Sequence, residues 1–110
     1  MADYLYSDGN GNVYHLNGLV LTYDPVETIE SSSGTYCGGT SSKSEISEAQ
    51  REALIEMFQA AFKNRTFRAD TRNIGSAEIR RIEAEETFKV ILAMRSPDKA
   101  KIEEYLEELR

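Results

Sequence analysis

The chain predicts an α+β domain: an antiparallel sheet of about five strands, in the order βββαββα, with two helices packed on one face. Three observations carry that expectation. Short β-favouring runs separated by glycine turns fill the first residues, an apolar stripe at three- and four-residue steps begins near residue 47, and a second pair of alternating runs precedes a second helical stripe. The links inside each strand group are too short for a crossover helix, which requires antiparallel pairing.

Tyr4 to Ser7 and Val13 to Leu16 are the first two expected strands, joined by "DGNGN", and Leu19 to Tyr23 follows "NG" as the third. In that strand Leu19, Leu21 and Tyr23 would share one face and Val20 and Thr22 the other. Pro25 ends it, because proline cannot donate to the ladder. Ser47 and Gln50 have the spacing of a capping box, and Leu54, Met57, Phe58, Ala61 and Phe62 then form one apolar stripe, so a helix is expected over 47–64. Phe88, Val90, Leu92 and Met94 alternate as a buried strand, with Ile91 and Ala93 covered on its second face. The stretch before it is rich in helix formers, yet Ile79 and Ile82 alone make a poor stripe and the following strand needs a partner, so a strand at 77–83 and a hairpin near Ala84 to Glu86 are predicted. Ser96 then caps a last helix with Pro97 in its first turn and Ile102, Tyr105, Leu106 and Leu109 along one side.

The 110 residues suit a single domain spanning 1–110, and 40% hydrophobic with 29% charged residues is the balance of a globular chain. One segment falls outside that description. Residues 25–45 contain "ESSSGTYCGGTSSKSE", a serine- and glycine-rich run with the only cysteine, and a connection of that length inside a compact domain is uncommon unless it is functional or disordered.

Thirteen basic residues against nineteen acidic ones give a net charge of −6, which repels phosphate backbones and makes nucleic acid an unfavoured partner. No apolar run approaches the roughly 20 residues needed to cross a bilayer, so no membrane association is expected. A lone cysteine forms no internal disulfide, and the N-terminus lacks the pattern of a secretory signal; both point to the cytoplasm.

Several stretches imitate chemistry. Asp8, Asn10 and Gly11 sit like the third, fifth and sixth positions of a calcium loop, but Tyr6 and Asn17 stand where its two main carboxylates belong, which leaves a glycine-rich turn. Gly34 to Ser41 has the glycine spacing of a phosphate-binding loop with Thr40 in the lysine position. Cys37 and His15 are the only nucleophile–base pair of that type the chain could assemble, although nothing near Cys37 in sequence lowers its pKa. One cysteine and one histidine close no structural zinc site, the glutamates fall on expected solvated faces, and neither a metal, a cofactor nor a catalytic residue is assigned.

The reading that remains is a small regulatory or inhibitor-like domain, not expected to be an enzyme, which binds a protein partner through the 25–45 loop. Tyr36 is its expected anchor, and Ser33, Gly34, Cys37, Gly38 and Gly39 supply adaptable contacts around it. The alternatives are a cysteine-dependent enzyme using Cys37 with His15, and nucleic-acid binding by the basic segment 63–81 through Arg65, Arg68, Arg72, Arg80 and Arg81, with Phe67 to stack on a base. A homodimer is also expected to be possible through an edge, either the first strand or the strand around Val90.

Overall fold

A computed structural model describes residues 2–25, 41–64, 66–69, 71–72 and 75–109. Its elements run β1 (Asp3–Ser7), β2 (Val13–Asn17), β3 (Val20–Asp24), β4 (Ser42–Glu45), α1 (Glu48–Lys63), β5 (Arg68–Ala69), β6 (Ala77–Glu83), β7 (Glu86–Leu92) and α2 (Pro97–Leu109). All the strands join one antiparallel sheet in the order β4-β3-β2-β1-β6-β7-β5. The α+β class and the two helices on one face are as expected; the sheet has seven strands among the described residues instead of about five.

The two additional strands are both edges. β4 is "SKSE", with no apolar or aromatic residue to mark it, and β5 has two residues inside a basic segment. Their pairing comes from neighbours: β3 supplies Leu21 opposite Ser44 and Tyr23 opposite Ser42, and β7 supplies Leu92 and Ile91 opposite Arg68 and Ala69. The 25–45 segment is therefore shorter as a loop than the sequence implies, since its last four residues are a strand. β1 also departs from expectation. It lies between β2 and β6, so it is central, and a dimer through its edge is excluded.

Alternation decides the two faces of the sheet. Tyr4, Tyr6, Tyr14, Leu16, Leu21, Tyr23, Ala77, Ile79, Val90 and Leu92 point inward and form one cluster with Leu54, Phe58 and Ala61 of α1 and Ile102 and Leu106 of α2. Aromatic rings run through its centre: Tyr4 stacks on Phe58 at 5.2 Å between centroids, and Tyr14 meets Tyr23 at 4.7 Å. Asp3, Leu5, Ser7, Val13, His15, Glu78 and Arg80 occupy the opposite face, which the helices leave uncovered.

The helix ends follow the sequence. Ser47 Oγ accepts from the Gln50 N–H at 3.1 Å while Gln50 Oε1 accepts from the Ser47 N–H at 2.9 Å, completing the capping box. Ser96 Oγ accepts from the Lys99 N–H at 3.2 Å and caps α2. Three residues predicted to be buried are not. Leu19 lies in the β2–β3 turn at 39% exposure because Gly18, with φ +58°, places the turn one residue later, so β3 begins at Val20. Met94 follows the end of β7 and is 58% exposed, and Phe88 lies where the β6–β7 hairpin reaches beyond full cover, at 44%.

Candidate functional site

The long connection leaves and re-enters the sheet at one place. β3 and β4 pair from Val20 opposite Glu45 to Tyr23 opposite Ser42, so residues 25–41 join two strand ends that are already neighbours. A hairpin needs only two to five residues there. The expected binding residues Ser33, Gly34, Tyr36, Cys37, Gly38 and Gly39 lie outside the described residues, as does most of the phosphate-loop-like stretch.

His15 lies on the open face of β2, opposite Leu5 of β1. Its Nε2 is 3.3 Å from Asp3 Oδ2, and Asn17 Nδ2 donates to both oxygens of Asp3 at 3.1 and 3.0 Å. Donation from Asn17, with His15 and the more distant charge of Arg51 acting the same way, outweighs partial burial and holds the Asp3 carboxyl below its ordinary pKa. His15 thus has an orienting carboxylate. Its proposed partner Cys37 is outside the described residues.

Of the arginines expected to bind nucleic acid, Arg65 lies outside the described residues, and the others make contacts within the protein. Arg68 donates to the Phe62 carbonyl, and Arg72 donates to the carbonyls of Ser76 at 2.6 Å and Asp8 at 3.2 Å. Arg80 pairs with Glu78 at 3.1 Å, and the Arg81 guanidinium lies 5.7 Å from the centre of the Phe88 ring. Phe67 is half-buried, its carbonyl accepting from the Ala93 N–H at 2.7 Å.

The calcium-like turn is likewise self-sufficient. Asp8 Oδ1 accepts from the N–H groups of Asn10 and Asn12, and Oδ2 accepts from Asn12 Nδ2, each at 2.9 Å. Both carboxylate oxygens therefore hold the turn closed, as an Asx turn does. Among the described residues no group of three or more histidine, cysteine, aspartate or glutamate side chains is arranged to hold a metal ion.

Sequence reasoning missed two side-chain arrangements. Inside the fold, the fully buried Tyr6 donates its hydroxyl to Glu103 Oε2 at 2.6 Å, and Lys99 Nζ reaches the same oxygen at 2.9 Å. Burial, then the bond to Glu103 and the nearby negative charge, pushes the Tyr6 phenol far above its ordinary pKa, so it is a structural donor and not an acid–base group. No local pattern reveals this contact, which joins residues 97 positions apart. The second feature is the tip of the β6–β7 hairpin. There Phe88 packs edge-on against Phe62 at 5.0 Å and borders an open hollow with Arg81, Glu83 and Glu86. Ala84 takes φ +54° to close the turn.

These features define a one-sided antiparallel α+β domain in which most of the chemistry-bearing side chains among the described residues are paired with one another. No family model, no curated protein and no solved structure matches the chain. No described helix is long and apolar enough to cross a membrane.

Proposed function

We propose that the chain is a small regulatory, inhibitor-like domain that binds a protein partner through the segment joining β3 to β4. The observation that carries this reading is the register of that pair: strand ends held side by side need a short turn, so the length of residues 25–41 serves something other than connecting the sheet. Such a segment, attached at both ends to paired strands, offers Tyr36 as an amphipathic anchor and Ser33, Gly34, Gly38 and Gly39 as adaptable backbone around it. Ordering it on a partner costs roughly 1–2 kcal/mol per fixed residue, which favours a contact built on a few anchors over one along its whole length. The lone cysteine favours a cytoplasmic home.

The test replaces residues 26–39 with a two-residue Asn-Gly turn joining Pro25 to Thr40, which spares β4 and keeps the β3–β4 register, and compares partner capture by the two chains from the native host. Loss of a specific partner with an unchanged circular dichroism spectrum is the expected result. Capture of the same partners by both chains would overturn the reading. A point variant, Tyr36→Ala, should weaken the same contact without altering the fold.

One observation favours a second reading, cysteine chemistry by Cys37 with His15. Asp3 stands against the His15 ring as the third member of such an arrangement would. Alkylation of Cys37 would then show a pH dependence that shifts in His15→Ala; an identical profile in both proteins would remove the idea.

A further inference from the structure

The two edges of the sheet differ in a way that concerns a second copy of the chain. At one edge β4 carries Lys43 and Glu45 on the open face and serine on the inner one, a short polar strand of the kind that resists pairing with another chain. At the other, β5 covers only Ile91 and Leu92 of β7. Among the described residues nothing pairs with the outer side of Glu86–Val90, and Phe88 lies in the middle of that stretch.

The hydrogen-bonding groups of this edge can be assigned. β6 and β7 meet in a hairpin with Glu83 opposite Glu86 across two turn residues, so Glu83 and Glu86 form a hydrogen-bonded pair, and so in alternation do Arg81 with Phe88 and Ile79 with Val90. The N–H and C=O of the intervening residues, Thr87 and Lys89, therefore point away from β6 towards the free edge. The next residue in that series, Ile91, is the one β5 takes.

We infer that β7 pairs antiparallel with β7 of a second copy about a two-fold axis at Phe88, joining two sheets into one. Only this centre uses every open group: Thr87 exchanges both backbone bonds with Lys89 of the second copy, and Lys89 with its Thr87. An axis at Lys89 would set two lysines directly opposite and drive Thr87 against the position β5 occupies, whereas an axis at Thr87 would pair Lys89 with the turn residue Glu85. With the axis at Phe88 no like charges stand directly opposite, and each Lys89 keeps Glu78 of its own chain within 3.8 Å. The two Phe88 side chains meet in a non-hydrogen-bonded pair, where opposite side chains come closest, and cover each other's exposed rings. Self-complementarity of hydrogen bonds, charge and the apolar centre is what selects a second copy as the occupant instead of an unrelated strand. The surface lies at the opposite edge from the β3–β4 connection, so the inference stands independently of the proposed function.

Five residues of strand bury less than a standard interface of roughly 1,600 Å², so the dimer is expected to dissociate in the micromolar range or above. The experiment is sedimentation of the full chain from about 1 µM to about 1 mM, a range chosen to bracket that expectation. The wild type should shift from monomer to dimer across it. Thr87→Pro removes an outward N–H and leaves the β6 ladder whole, and should raise the dissociation constant at least roughly tenfold. In a Cys37→Ser background under mild oxidant, Phe88→Cys should form a cross-linked dimer, because directly opposed Cα atoms about 4.5 Å apart suit a disulfide. Lys89→Cys should not, its counterpart lying a diagonal step away. A wild type that stays monomeric throughout overturns the inference, as does a dimer that links through Lys89→Cys and not Phe88→Cys, or a monomer whose β7 edge takes up another protein's strand. Should Thr87→Pro fail to fold, the two cysteine variants decide.

Discussion

Arg51 offers the sharpest test of how the helices are locked to the sheet. It lies in the early part of α1, is 8% exposed, and points its guanidinium at the opposite end of the fold's sequence: Nη1 donates to the Gly18 carbonyl at 2.7 Å and Nη2 to the Ala2 carbonyl at 3.3 Å. One side chain thus ties α1 to the β2–β3 turn and to the residue preceding β1. Arg51→Met keeps the apolar stem and removes the charged fork. The short bond, with a charged donor, contributes about 1.5–3 kcal/mol and the longer one less, while removing a cation near the positive end of a helix returns about 0.3–1 kcal/mol. The net expectation is a loss of about 2 kcal/mol. For a chain of 110 residues that lowers the melting temperature by about 8 °C. Urea denaturation followed by far-UV circular dichroism measures it: the midpoint should fall with the slope unchanged, and Arg51→Lys, which keeps charge but not the fork, should fall between. A change under about 0.5 kcal/mol, the size of an ordinary surface substitution, would show that the fork does not hold the helix to the turn.

Tyr6→Phe should cost about 1.5 kcal/mol at neutral pH, since it removes a donor to a carboxylate that retains Lys99. Because the Tyr6 phenol is raised in the fold, its contribution is present below the ordinary tyrosine value of about 10 and is lost as pH rises above it, so the alkaline fall in stability should be shallower in the variant. Asp3 has the opposite sign: its folded pKa is lowered, so its contribution is present above about 3.9 and fades as pH falls through the folded value. Carbon-detected NMR titration should show the Asp3 pKa moving up in Asn17→Ala, and an unmoved value would refute the assigned cause. Gly9→Ala would place a methyl 2.8 Å from the Gly75 carbonyl oxygen, a backbone atom, and should destabilise by about 1–3 kcal/mol in thermal melts.

The fold was legible where each element carries its own signal. Capping chemistry at Ser47 and Ser96 and the stripe through Leu54, Phe58 and Ala61 locate the helices, glycine turns and β-favouring runs locate β1 and β2, and alternation locates β7, whose need for a partner in turn implies β6. β4 and β5 escaped because an edge strand is specified by its neighbour's free groups and not by its own side chains. Phe88 was read as buried because alternation reports which face a residue occupies, not how far the opposing layer extends. The arginines from Arg68 to Arg81 read as a basic patch in one dimension, whereas their partners, the Phe62 and Asp8 carbonyls and the Phe88 ring, are supplied by the fold. The length of the β3–β4 connection was visible directly, but its excess over what the sheet requires became clear only from the register Tyr23 opposite Ser42.

That excess makes a quantitative prediction about stability as well as binding. Between Pro25 and Thr40 lie fourteen residues, and shortening them to a two-residue turn is about three halvings of loop length. Each halving lowers the entropic cost of closure by about 0.6 kcal/mol, so a segment that adds nothing to the packing of the domain should, when removed, leave the protein about 2 kcal/mol more stable. The paired ends make the measurement clean, because an Asn-Gly turn lets the β3–β4 ladder continue in its present register. A gain of that order in urea denaturation, together with loss of a partner, would mean that the chain retains a destabilising segment for the contact it makes. A loss of stability would mean instead that the segment packs against its own domain, and the binding proposal, which needs it available to another molecule, would fall with it.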